Sequence, residues 1–193
     1  ETYLSDSYVV HPFHFAKPWH LDPELPGMAV VYVQNPAGGW IQGDRASVQV
    51  RLEPDAQVHL TNQAAEKIHS MSANCAVQTV EFRLDRRSYA EYCPDPVILF
   101  SGARFAQGVR VTLAQDASVF LSEVFLNRTD DDNAPFDALS NSLTIYDDSN
   151  RLIFREHGLV QPTRKSLEGQ AVLGRSRAWG QALLVGPEIP KSW

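Results

Sequence analysis

Three stretches of this chain alternate apolar and polar residues on both sides of a short turn, and they recur about thirty residues apart. In the first, Ser47-Val48-Gln49-Val50-Arg51-Leu52 leads through Glu53-Pro54-Asp55-Ala56 into Gln57-Val58-His59-Leu60-Thr61. In the second, Thr79 to Leu84 leads through Asp85-Arg86-Arg87 into Ser88 to Cys93, and in the third Gly108 to Leu113 leads through Ala114 to Ala117 into Ser118 to Ser122. A looser fourth copy runs from Asn141 to Tyr146, turns at Asp147 to Asn150 and returns along Arg151 to Arg155. Alternation of period two sends successive side chains to opposite faces of a strand, and a Pro-Asp turn between two such runs is a hairpin signal. Leu52, Leu84 and Leu113 hold equivalent places in the units. One hairpin leaves an apolar face uncovered, and repeats of this size cover it by stacking. The prediction is an all-β fold, an elongated, solenoid-like stack of antiparallel β-hairpin repeats with little helix. A β-sandwich is the structural alternative.

The segments after each unit break the alternation. Asn62 to Ser70 has the best propensity for a short helix. Pro94-Asp95-Pro96 predicts a turn feeding an apolar strand from Val97, and Gln181 to Val185 reads as a further strand. Thr129 to Pro135 is acidic but lacks the Gly and terminal Glu of a calcium loop, so it reads as a solvated loop. In a stack such excursions fall along one edge, where polar residues distant in sequence can converge.

The 193 residues, 44% hydrophobic and 21% charged, suit one domain with its own core. A net charge of −6 with no basic stripe argues against nucleic acid as a partner. No apolar run approaches the roughly 20 residues that span a bilayer, so no membrane partner is expected. The first residues lack the charged and apolar regions of a signal peptide. Cys75 and Cys93 are too few for a disulfide scaffold and their spacing fits no zinc motif. Reduced thiols and a cytoplasmic location are the expectation.

No nucleophile elbow, zinc-protease helix, phosphate loop or dinucleotide fingerprint is present, and the chain is not expected to be an enzyme. Carboxylates are the better candidates. Asp44 sits on the turn shaped by Gly38, Gly39 and Gly43, Asp95 lies between two prolines, and Glu123 directly follows a unit. Each alone reads as an ion pair, with Arg45, Arg104 and Arg128 near in sequence. Taken with Thr61, Gln63 and Lys67 they suggest a shared polar interior. Trp19, Trp40 and Trp179 suggest a different function, a carbohydrate-binding module with stacking platforms and no metal role.

Asn35-Pro36-Ala37-Gly38-Gly39 through Gly43-Asp44-Arg45 resembles the glycine-rich signature of the UreD/UreH family of urease accessory proteins. The run Leu60 to Lys67, the stretch Pro94 to Phe105, and Glu123-Val124 with Asn127-Arg128 continue the resemblance in the family's order. It implies a single domain over 1–193, incomplete at its C-terminus, and a non-enzymatic scaffold that binds apo-urease. UreF and UreG are the implied partner proteins, and Ni²⁺ is passed to the urease active site rather than held as a tight cofactor. A conduit must hold its cation weakly, which spaced carboxylates and hydroxyls do and a Cys/His cage does not. Asp44, Asp95 and Glu123 are the expected nickel path, with Thr61, Gln63, Lys67 and Arg104 as further binding groups. Gly38, Gly39 and Gly43 would shape its wall. In a rival reading the same turns serve folding alone and no metal passes.

Overall fold

The computed structural model describes residues 1–128, 135–169, 172–174 and 176–187. Its elements are all strands: β1 His14–Phe15, β2 Ala29–Gln34, β3 Arg45–Leu52, β4 Gln57–Asn62, β5 Glu66–Ile68, β6 Ala76–Leu84, β7 Tyr89–Tyr92, β8 Val97–Leu99, β9 Arg104–Leu113, β10 Ser118–Asn127, β11 Ala138–Asp147, β12 Leu152–Val160 and β13 Ala178–Val185. They form two sheets, a five-stranded one ordered β12-β11-β9-β6-β3 and a larger one ordered β1-β2-β4-β7-β10-β8-β5, with β13 against β10. The acidic stretch expected to be a solvated loop lies, from 129 to 134, outside the described residues.

The all-β stack is as the alternation predicts, and the repeat is real. Leu52 pairs with Leu84 and Leu84 with Leu113, so the three equivalent leucines form one in-register row. The antiparallel hairpins need correction. The two arms of each of the first three units do not pair with each other: β3, β6 and β9 lie in one sheet, β4, β7 and β10 in the other. Each arm pairs in parallel with its counterpart in the next unit. Both arms carry an inward apolar row, with Leu52 and Val58, Leu84 and Ala90, Leu113 and Val119 all buried. Facing those rows across a core buries both at once, which a flat hairpin would leave to a neighbour. The fourth copy is a true hairpin, β11 and β12 pairing antiparallel in one sheet.

The segment Asn62 to Ser70 is not helical. β4 ends at Asn62, the chain makes a short excursion, and β5 resumes beside β8. β7 and β8 are likewise separated by Cys93 to Pro96, while β10 runs unbroken past both. From Leu60 to Ile68 the chain advances eight residues, from Tyr92 to Leu99 seven, and from Leu121 to Asn127 six. The excess residues loop out at the Gln63 and Asp95 positions.

Burial divides the core into two apolar clusters. One gathers Leu60, Val80, Phe82, Val109, Leu121 and Leu143 with their neighbours. The other is built on Trp40, Ile68, Phe105, Phe125, Phe136 and Leu139. Between them lies a layer that is polar.

Candidate functional site

The separating layer arises from one inward position on each strand. Gln78 stands between Ala76 and Val80 on β6, Gln107 between Phe105 and Val109 on β9, and Asn141 between Leu139 and Leu143 on β11. Parallel register aligns all three, Gln78 opposite Gln107 and Gln107 opposite Asn141. From the facing sheet Asn62 and Glu123 point inward, and Gln181 pairs with Glu123.

Glu123 is the centre of this layer. It is 4% exposed, and its carboxylate accepts from three side-chain amides: Gln107 Nε2, Asn141 Nδ2 at 3.0 Å and Gln181 Nε2 at 2.8 Å. No lysine or arginine among the described residues pairs with it, although buried carboxylates ordinarily have a cationic partner. The carbonyl Oδ1 of Asn141 is buried without a hydrogen-bond partner. A cavity of about 240 Å³ opens beside it, lined by Phe125, Leu139, Asn141, Trp179 and Gln181.

Glu66 marks the other end. Its Oε2 accepts from Trp40 Nε1 at 2.7 Å and Asn35 Nδ2 at 3.4 Å, and its Oε1 from Asn62 Nδ2 at 3.4 Å. Burial holds its carboxyl above the usual carboxylate range, with the Trp40 and Asn35 bonds pulling part of the way back. The buried Tyr92 phenol is raised first by burial, then by the charges of Glu123 and Glu66, so it stands within electrostatic reach of both.

A raised folded-state value means that the native chain holds the Glu66 proton more tightly than the unfolded chain. The cost of burying the charge is absent below the unfolded value. It grows as pH rises toward the folded value and is complete above it. Wild type is therefore expected to gain stability relative to Glu66→Gln on acidification from neutrality through the carboxylate range. Urea midpoints taken across that range check this; a difference that stays flat or runs the other way contradicts it.

The residues singled out from sequence fall in several places. Asp44 is half-buried, and its Oδ2 closes its own turn by accepting from Ile41 N at 2.9 Å. Gly38, Gly39 and Gly43 all have positive φ, at 79°, 141° and 89°. Gly39 is the most constrained, because a Cβ there would stand 2.6 Å from both the Lys67 carbonyl and His69 Nε2. The turn is docked on β5, with Trp40 N donating to the Lys67 carbonyl at 2.7 Å. Asp95 is half-buried in the break between β7 and β8. Thr61 lies on the outer face, its hydroxyl donating to the Cys93 carbonyl at 2.7 Å, and Gln63 and Lys67 are exposed. Arg104 is bound to Asp137, with both Nε and Nη2 at 2.8 Å from Oδ2. No hydrogen bond joins Asp44, Asp95 and Glu123 to one another.

Sequence reasoning passed over the amides. Their signal is legible in retrospect: a Gln or Asn in the apolar phase of an alternating strand, flanked two residues either way by buried apolar side chains.

Trp19, Trp40 and Trp179 do not form an exposed row. Trp40 is 2% exposed, Trp179 stacks on Phe125 and Phe136 at 5.6 and 6.1 Å between centroids, and of these three Trp19 alone is open to solvent. Cys93 lies close to His59 and Glu91, a nucleophile-like grouping. Burial and then the Glu91 charge push its thiol up to about 11, the reverse of what an activated nucleophile needs. Among the described residues no helix is long and apolar enough to cross a membrane.

Comparison with known proteins bears on this arrangement. The chain is 34% identical over 188 residues to the urease accessory protein UreD of Cenarchaeum symbiosum, covering 96% of this chain and 66% of that one. To UreD of Photorhabdus laumondii it is 31% identical over 182 residues, 92% of this chain and 57% of the relative. To UreD 2 of Streptomyces griseus it is 43% identical over 122 residues, 63% of this chain and 42% of the relative. It thus spans between two fifths and two thirds of the length of these relatives. The family model described as UreD urease accessory protein matches residues 1–192, and the chain belongs to that family.

Proposed function

We propose that this chain is a scaffold for urease maturation that assists delivery of Ni²⁺ into the apo-enzyme, acting with UreF and UreG in the cytoplasm and catalysing no bond-making step itself. The observation that carries this reading is the buried Glu123 carboxylate. It is ringed by three amides rather than a cation, in a polar layer crossing both sheets beside a cavity. A divalent ion in transit needs oxygen donors that lose little when it leaves. Amides that hold the carboxylate between visits meet that need, whereas a permanent Lys or Arg partner would repel the ion. The orphaned Asn141 Oδ1 supplies a further oxygen in the same layer. Glu123 is the central station of the proposed route. Asp44 and Asp95 are its outlying carboxylates and the glycine turn forms part of its wall, while the outward Thr61, the exposed Gln63 and Lys67 and the Asp137-bound Arg104 stand outside the interior layer, at its approach from solvent.

The test is reconstitution of apo-urease with UreF, UreG and Ni²⁺, with and without this chain. Urease nickel content and co-purification of the chain are measured together. Nickel content several-fold higher with the chain, and recovery of the chain in the assembly, are expected. Equal loading in both samples contradicts the proposal.

A further inference from the structure

On the outer face of the larger sheet, away from the polar layer, three side chains of different donor chemistry meet. Parallel pairing sets His59 of β4 opposite Glu91 of β7, and Cys93 follows two residues on, on the same face. His59 Nδ1 is 2.6 Å from Glu91 Oε2, and the nitrogen, carboxylate oxygen and sulphur all lie within 4.8 Å of one another. We propose that His59, Glu91 and Cys93 form a binding site for a divalent cation of the Zn²⁺, Ni²⁺ and Co²⁺ class. This site does not rest on the maturation role argued above.

Each part of the arrangement suits such an ion. One imidazole, one carboxylate and one thiolate neutralise a 2+ charge and leave a fourth position open, the pattern of three-ligand sites. Sulphur and nitrogen donors favour borderline transition ions over Mg²⁺ and Ca²⁺. The groups are held before any ion arrives. Tyr89 OH donates to the other Glu91 oxygen at 2.7 Å and so orients the carboxylate, as outer-shell partners of metal ligands do. The Cys93 backbone is fixed on both sides, its N–H donating to Leu60 O at 3.1 Å and its carbonyl accepting from Thr61 Oγ1 at 2.7 Å. The His59 and Glu91 side chains are 25% and 22% exposed, which leaves a path from solvent. No lysine or arginine among the described residues pairs with Glu91. Ligand bonds of about 2.0–2.3 Å put donor atoms roughly 3–4 Å apart, so the His59–Glu91 pair must open slightly from its 2.6 Å contact as an ion enters, while the sulphur already lies within 4.8 Å of both.

Binding of M²⁺ displaces the thiol proton to solvent and moves the imidazole proton from Nδ1, where it bonds Glu91, to Nε2, so that M–S, M–N and M–O bonds form with no change of oxidation state. The experiment uses the whole chain, reduced and stripped with chelator, titrated with Co²⁺ as a spectroscopic probe. A near-ultraviolet thiolate-to-Co²⁺ band saturating at one equivalent is expected in wild type and in Cys75→Ser, and no such band in Cys93→Ser. Calorimetry with Zn²⁺ and Ni²⁺ should show affinity falling at least about tenfold in His59→Asn and in Glu91→Gln, and excess Mg²⁺ or Ca²⁺ should not bleach the cobalt band. A band that survives Cys93→Ser, disappears in Cys75→Ser, or is missing from the folded wild type overturns the site. Unchanged affinity in both the His59 and Glu91 variants does the same.

Discussion

Glu123→Ala is expected to lower the unfolding free energy by about 3–5 kcal/mol, far more than removal of a surface carboxylate. Three amide groups donate to this side chain from β9, β11 and β13, joining both sheets through a single acceptor. Alanine leaves those donors facing a void, and each buried polar group without a partner costs about 1–3 kcal/mol. Gln181 and Asn141 are half-buried and can recover part of that by turning toward water, so the total falls below the simple sum. Glu123→Gln keeps the volume and one carbonyl acceptor and is expected to cost about 1–2 kcal/mol. Urea unfolding with an unchanged m-value measures both. A Glu123→Ala unfolding free energy within about 0.5 kcal/mol of wild type would mean that the layer is not held together by this residue.

Trp40→Ala is the second large effect, again about 3–5 kcal/mol. The indole is 2% exposed and lies among Phe13 at 6.1 Å, Phe105 at 5.6 Å and Ile68, so its loss leaves a cavity in the second apolar cluster. It also removes the 2.7 Å donor that offsets the burial of Glu66. Trp40→Phe separates the two contributions: it keeps most of the packing and loses only the hydrogen bond, for about 1–3 kcal/mol. In that variant the acid-dependent part of stability assigned to Glu66 should grow, because its burial is then less compensated. A Trp40→Ala cost below about 1 kcal/mol, or a Trp40→Phe variant as damaged as Trp40→Ala, contradicts the packing argument.

Much of the fold was legible in the residues, and the failures have physical causes. The leucine repeat predicted the stacking, and the structure sets its equivalent Leu52, Leu84 and Leu113 in one parallel row. Hairpin and arch carry the same period-two pattern, so nothing local distinguishes arms that pair from arms that face each other. Ala64-Ala65-Glu66-Lys67 has good helix formers, yet pairing of Glu66–Ile68 with β8 overrides that preference. Glu123 stood out as a carboxylate in an apolar setting. The amides that receive it did not, since Gln78 and Gln107 look like ordinary strand polar residues until their phase is counted. The grouping of His59, Glu91 and Cys93 was not visible, because residues about thirty apart meet only through the parallel register of β4 and β7.

The central claim is that a carboxylate in the interior layer, and not merely a folded scaffold, is needed to bring nickel to urease. Glu123→Gln, shown by its urea midpoint to be folded and by co-purification to assemble with apo-urease, UreF and UreG, isolates that claim. Urease nickel content after reconstitution should fall several-fold relative to wild type, with assembly unchanged. Nickel content equal to wild type in that variant, with Asp44→Asn equally silent, would leave the chain as an adaptor through which no ion passes.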